Sequence, residues 1–198
     1  MSPEKHHHGN LREALITAGI ELLETGGLEA LTLRKCAAKA GVSHAAPAHH
    51  FNGLISLKAA IIARCYRMFS ASMDAKSRQA EASPRAQLLA ICEGYLAFSR
   101  DHGALFQIMF QPKPKALANV NPQILDELNA ESSKSYMILR TACAPFAPVG
   151  GHDQGTEVMV WALVHGYAVL FANQPDKETP AGTLPEFAHI LPDLPLRN

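Results

Sequence analysis

Residues 32–51 read TLRKCAAKAGVSHAAPAHHF. Thr32 carries the hydroxyl to cap a helix whose inner face is Leu33, Cys36, Ala37 and Ala40, and Gly41 is placed to stop that helix. Ser43 is then placed to cap a further helix reaching Phe51. Helix, glycine turn and helix in this order make the helix-turn-helix shape. Its small inner residues, Ala37, Ala40 and Val42, let the two helices cross closely.

Upstream, Leu11, Leu15, Ala18 and Leu22 recur at helical spacing, which predicts a helix over 10–25 ended by Gly26-Gly27. Asn10 suits its N-cap, with Glu13 three residues on as in a capping box. Downstream, Asn52-Gly53 is a break. A long helix follows over 54–80, with Leu57, Ile61, Cys65, Met68 and Met73 along one side. Ser83-Pro84 opens another, with Leu88, Ile91, Tyr95 and Phe98 as its apolar positions, ended by His102-Gly103. A short apolar helix covers 104–111, a Pro- and Lys-containing loop 111–122, and a helix 124–143. The last helix, 152–173, is apolar nearly all round from Val158 to Phe171, which implies burial from two sides. The segment from Gln174 holds five prolines, Pro175, Pro180, Pro185, Pro192 and Pro195, and is expected to be loosely held. With no strand pattern, the expected fold is all-α.

Composition sets the class. At 198 residues with 47% apolar and 18% charged residues, the chain can bury a core and has some apolar surplus for an interface or cavity. The run 158–172 is broken by His165 and Gly166 and is shorter than the roughly 20 residues of a membrane span. The N-terminus lacks the apolar stretch of a secretory signal, so a cytoplasmic protein is expected. Cys36, Cys65, Cys92 and Cys143 are widely spaced without a CxxC pair, and read as buried, reduced thiols.

The formal net charge is zero, but it is unevenly spread. Residues 1–70 hold eight Lys/Arg against five Glu, and six of the ten His. That +3 suits an anion-binding N-terminal module on a neutral-to-acidic body. No GxSxG, P-loop, HExxH or GxGxxG motif is present, so no enzyme chemistry and no cofactor is expected. Adjacent His49 and His50 on a helix point about 100° apart and cannot both chelate one metal ion.

In their order, His7-His8-Gly9-Asn10-Leu11-Arg12, Ala30-Leu31-Thr32-Leu33-Arg34, Ala40-Gly41-Val42-Ser43 and His49-His50-Phe51 give the chain its resemblance to the TetR family of bacterial transcriptional regulators. FQIMFQP at 106–112 and the Trp161-x-x-x-His165-Gly166 pattern look like one subgroup. The resemblance implies a helix-turn-helix DNA-binding domain at 1–53, a ligand-binding and dimerisation domain at 54–175, and a Pro-rich tail at 176–198. It further implies a homodimer on a palindromic operator in double-stranded DNA, released by a small apolar effector. The helices over 124–143 and 152–173 would form the dimer's four-helix bundle.

A helix in the major groove reads bases with its N-terminal residues, here Ser43, His44, Ala45, Ala46 and Pro47. Ser43 can donate to a phosphate and His44 to a guanine acceptor, whereas Ala45, Ala46 and Pro47 offer only apolar contact. Thr32, Arg34, Lys35 and Lys39, with Arg12 and His6 to His8, are expected at phosphates. The family has Tyr at the position of Ala48 and Lys at that of Leu54, both phosphate contacts. Their absence predicts weaker binding with a shallower salt slope, with His49 and His50 as substitutes. The alternative is a TetR-like protein that has lost DNA binding and acts as a ligand-binding or protein-interaction module. For the effector, Phe98, Phe106, Met109, Phe110, Tyr136, Trp161 and His165 supply apolar lining with polar handles. Trp161 and His165, one turn apart on one helix face, are the leading pair.

Overall fold

The computed structural model describes residues 8–111, 117, 119–171, 178–179, 182–183 and 185–197. The fold is all-α. Its helices are α1 (His8–Gly26), α2 (Leu33–Lys39), α3 (Gly53–Ser77), α4 (Pro84–Asp101), α5 (Gly103–Met109), α6 (Pro122–Cys143), α7 (Gly155–Phe171) and α8 (Phe187–Ile190). Short 3-10 segments lie at Leu28–Ala30, Ala46–His49 and Val149–Gly151. Strands β1 (Glu178–Thr179) and β2 (Gly182–Thr183) pair antiparallel, a two-residue exception that no alternating pattern announces. α1 begins two residues ahead of Asn10, so that residue lies inside the helix and not at its cap. The loop expected over 111–122 falls largely outside the described residues.

The chain packs as two compact units that do not follow chain order: residues 1–66 with 104–131, and 67–103 with 132–198. In the first, Leu15, Ile16 and Leu23 of α1 are buried with Cys36 and Ala37 of α2, Phe51, and Leu57 and Ile61 of α3. Gly19 makes room for this, because a Cβ there would lie 2.4 Å from Ile61 Cδ1. An ion-pair network ties the same unit on its surface. Arg12 donates to Glu13 at 3.1 Å and to Glu127 of α6 at 2.6 Å, and Arg64 of α3 also donates to Glu13.

In the second unit Phe69 and Met73 of α3 are buried with Leu88, Cys92, Tyr95 and Phe98 of α4 and Val160, Val164 and Ala168 of α7. Ser83 caps α4, its hydroxyl accepting from the Ala86 amide at 3.3 Å. α3 and α4 approach closely at Gly94, where a Cβ would meet Met73 Cα at 2.5 Å and the Ser72 carbonyl at 2.6 Å. The Ser72 hydroxyl donates to the Gly94 carbonyl at 2.9 Å across this crossing.

Within the segment from Gln174, the described residues 185–197 are held more firmly than their prolines predict. Phe187 and Leu191, four residues apart, are buried, and Tyr167 sets its ring edge-on to Phe187 at 5.6 Å. Arg85 donates to the Leu191 and Pro192 carbonyls, Arg197 to the Phe146 carbonyl, and the Ala147 amide to the Pro195 carbonyl. Proline removes a donor but leaves its carbonyl free to accept, and two apolar anchors among the prolines decide the outcome.

Gly94→Ala is expected to destabilise the protein by about 1–3 kcal/mol, because backbone atoms and not a movable side-chain end block the added methyl. A thermal melt reads this as a loss of several degrees, and an unchanged midpoint would show that the crossing can open without cost.

Candidate nucleic-acid interface

Thr32 caps α2 as its sequence context predicts, with the hydroxyl accepting from the Lys35 amide at 3.2 Å. Cys36 and Ala37 turn inward, while Arg34, Lys35 and Lys39 are exposed. Gly41 takes a φ of +69°, and the Gly41 and Val42 amides close onto the Ala38 and Ala37 carbonyls. That reversal ends α2 and aims the following residues away from its axis.

The second helix departs from expectation. Ser43 makes no cap, and the regular structure shrinks to the 3-10 segment Ala46–His49, entered from Ala45 without a side-chain cap. Its bonds run three residues back, Ala46 to Ser43, Ala48 to Ala45 and His50 to Pro47. Pro47 is the physical cause: it has no amide to donate, and it disfavours helical geometry at Ala46. Pro47 is also among the fully buried side chains, so the ring expected at the bases is instead core. His50 is half-buried against Phe51, its Nε2 enclosed without a hydrogen-bond partner among the described residues. The exposed row that remains is Ser43, His44, Ala45, Ala48 and His49, with Ala46 half-buried.

The cations sort by their partners. Lys39 pairs with Glu21 at 2.8 Å, and Arg12 is spent in the network with Glu13 and Glu127. Arg34 and Lys35 are exposed, and neither makes an ion pair among the described residues. His6 and His7, and the His8 side chain, lie outside the described residues. Leu54, in the first turn of α3, is half-buried.

The residues expected at an effector divide between the two units. Phe106 and Phe110 pack ring to ring at 4.8 Å in the first, Phe110 meets Tyr66 edge-on at 6.4 Å, and Met109 is buried there. In the second, Phe98 is buried beside Phe69 at 5.3 Å. His165 Nδ1 lies 2.8 Å from the Tyr95 hydroxyl, and burial lowers the His165 pKa. Tyr136 donates to Glu157 at 2.7 Å, and that hydrogen bond, followed by burial, raises the phenol's pKa. Trp161 meets Tyr136 edge-on at 5.9 Å and stands 41% exposed. Glu157 is the residue sequence reading missed: it is 5% exposed, and Arg140 approaches it at 3.4 Å. Its only signal was a carboxylate in the first turn of an apolar helix, where the helix dipole favours negative charge.

All four cysteines are buried as free thiols. Burial pushes their pKa values up, to about 12 at Cys65 and at Cys143, so little nucleophilic thiolate forms near neutrality. No group of three His, Cys, Asp or Glu among the described residues is placed to hold a metal ion. No helix among the described residues is long and apolar enough to cross a membrane.

Residues 88–191 match the family described as tetracyclin repressor-like, C-terminal domain, over half of the chain. The chain belongs to the TetR family. It is a TetR-family, DNA-binding transcriptional regulator of the helix-turn-helix kind. A Rhodococcus sp. RHA1 protein of unknown function is similar over 95% of this chain and 94% of its own, at 27% identity and a TM-score of 0.69. The TetR family transcriptional regulator PfmR from Thermus thermophilus shares the fold at 18% identity, with a TM-score of 0.57 over 81% of this chain and 85% of its own. A regulatory protein of the tetR family from Rhodococcus RHA1 does so at 16% identity and 0.58, over 91% and 90%. No curated protein matches the sequence.

A pH dependence follows from His165. The folded state holds its ring neutral, whereas the unfolded chain takes up a proton near the ordinary value of about 6.5. Stability from this site is therefore complete above that value and is lost as pH falls through the lowered folded one. Melting temperatures taken between about pH 7.5 and 5.5 should fall less steeply in His165→Gln than in the wild type; parallel curves would remove His165 from the account.

Proposed function

We propose that the chain is a cytoplasmic, homodimeric repressor that holds a palindromic operator through the exposed row from Thr32 to His49 and lets go when a small apolar effector binds. The observation that carries this reading is the head itself. Its turn and cap are intact, its row of Ser43, His44, Ala45, Ala48 and His49 is exposed, and Arg34 and Lys35 are free of ion pairs beside it. Cations without internal partners can neutralise phosphates and release counterions. Ser43 and the α2 N-terminus supply neutral donors to the backbone. His44, with His49 beside it, supplies ring donors for base edges, and Ala45 and Ala48 supply methyl contact.

Pairing is supported by α7. Its buried residues Val160, Val164 and Ala168 recur every four positions, and Val158, Trp161 and Val169, spaced i, i+3 and i+11 on another side, are exposed, as is Leu170 at 64%. An apolar stripe of this length on a soluble chain calls for a cover, and a second copy meeting it about a two-fold axis supplies one. Two heads held this way reach half-sites one helical turn apart, about 34–36 Å. For release, Phe98, Tyr136, Trp161 and His165, all of the second unit, are the proposed effector contacts. The effector must bind more tightly to the state that cannot span both half-sites, because only differential affinity shifts the two.

Hydroxyl-radical footprinting on DNA from just upstream of the protein's coding region tests this. Two protected half-sites with two-fold symmetry are expected. Arg34→Ala/Lys35→Ala and the pairing variant Val158→Glu/Leu170→Glu should each remove them, and His44→Ala should weaken them more than it weakens binding to random DNA. Absence of any footprint at low salt would contradict the reading.

A further inference from the structure

Ten residues follow the Gly41 turn, Val42 to Phe51, and none of them is Arg, Lys, Asn, Gln, Asp or Glu. Those six types carry the charged or amide ends that pair with guanine, adenine and cytosine edges in the major groove. The exposed row of Ser43, His44, Ala45, Ala48 and His49 therefore offers base edges two imidazoles, one hydroxyl and two methyl groups. It holds no side chain able to make a bidentate contact.

The two methyl groups lie on one side of the segment. The Ala48 amide donates to the Ala45 carbonyl at 3.1 Å, three residues back, and in a turn of this kind the side chains at i and i+3 eclipse. A rise of about 2.0 Å per residue then sets the methyls of Ala45 and Ala48 about 6 Å apart along the segment. That is close to two base steps of about 3.4 Å. Pro47, which falls between them, is buried, so its ring does not stand in front of either methyl. Side chains this small let the backbone come near the groove floor, where the C5-methyl of thymine is the apolar group on offer. A C5-methyl set against either alanine removes apolar surface from water on both partners, whereas a hydrogen at that ring position leaves a gap. Methylated cytosine carries the same group at the same ring position as thymine.

We propose, resting on the reading that the row from Thr32 to His49 holds operator DNA, that the head selects its operator by pyrimidine C5-methyl groups, of thymine or of 5-methylcytosine, packed against Ala45 and Ala48. Cytosine methylation at such a position strengthens binding.

The test is fluorescence-anisotropy titration of the full chain with the footprinted upstream duplex, scanned one thymine at a time. Each thymine is replaced in turn by uracil, by 5-methylcytosine opposite guanine, and by cytosine opposite guanine. Where the two alanines meet the duplex, uracil and cytosine should each weaken binding by about fourfold, the worth of one buried methyl, while 5-methylcytosine stays within about twofold of thymine. Ala45→Gly should remove the uracil penalty at one position of each half-site, and Ala48→Gly at the other. Uracil tolerated at every position, or penalties unchanged in both glycine variants, would overturn the methyl selection and leave the operator reading standing. No binding of the unmodified duplex would overturn both. The uracil scan on the wild type decides even if a variant proves unstable.

Discussion

At Gly41 the backbone enters the left-handed region, at a φ of +69°, which would cost an ordinary L residue about 1–2 kcal/mol. The amides of Gly41 and Val42 then bond back to Ala38 and Ala37, so the chain leaves α2 in one fixed direction. The direction of the residues that follow α2 depends on that reversal. With Cys36 and Ala37 packed inward and Phe51 buried at the far end, the eight residues between Val42 and His49 form a short bridge whose side chains have little freedom over which way they face. Pro47 completes the constraint from inside, as a buried ring in a segment too short for a regular α-helix.

The head's electrostatics are thinner than its composition. Of the eight Lys/Arg over residues 1–70, Arg12, Arg64 and Lys39 are paired with carboxylates and help to hold the unit together. Partly exposed pairs of this kind contribute modestly to stability, about 0–1 kcal/mol each. Their larger consequence is to leave Arg34 and Lys35 as the prominent free cations of α2. Ala48 and Leu54 offer no hydroxyl or charge to a phosphate. A reader with few charges gains less from counterion release and depends more on the neutral donors that the Thr32 cap and Gly41 turn put in place.

Helical periodicity and punctuation made most of the fold legible. The Ser83 cap, the glycine stops and the apolar stripe of α4 fall where residue types alone put them, and the family resemblance was carried by short motifs that the first unit preserves. The failures have specific causes. The Ser43-capped helix failed because one proline outweighed a good capping residue and a run of alanines. The C-terminal segment was misjudged because proline frequency masked the Phe187 and Leu191 anchors, whose burial depends on partners far away in sequence such as Tyr167. One-turn spacing puts Trp161 and His165 on one helix side but does not show what lies opposite: Tyr95 meets the imidazole, and Tyr136 meets one edge of the indole. Glu157 was unreadable for the same reason, since its burial depends on Tyr136 and Arg140 of another helix.

The proposal is that this head keeps its Thr32 cap and Gly41 turn while reducing its grip on the phosphate backbone. It is tested most directly by measuring affinity for the upstream DNA across a range of salt, for the wild type and for Ala48→Tyr/Leu54→Lys. The account predicts specific wild-type binding with a shallow dependence on salt, and a tighter double variant whose slope is steeper by about 2, from one restored ammonium on each of two subunits. Failure of both proteins to bind, or equal affinity and slope for the two, would contradict it.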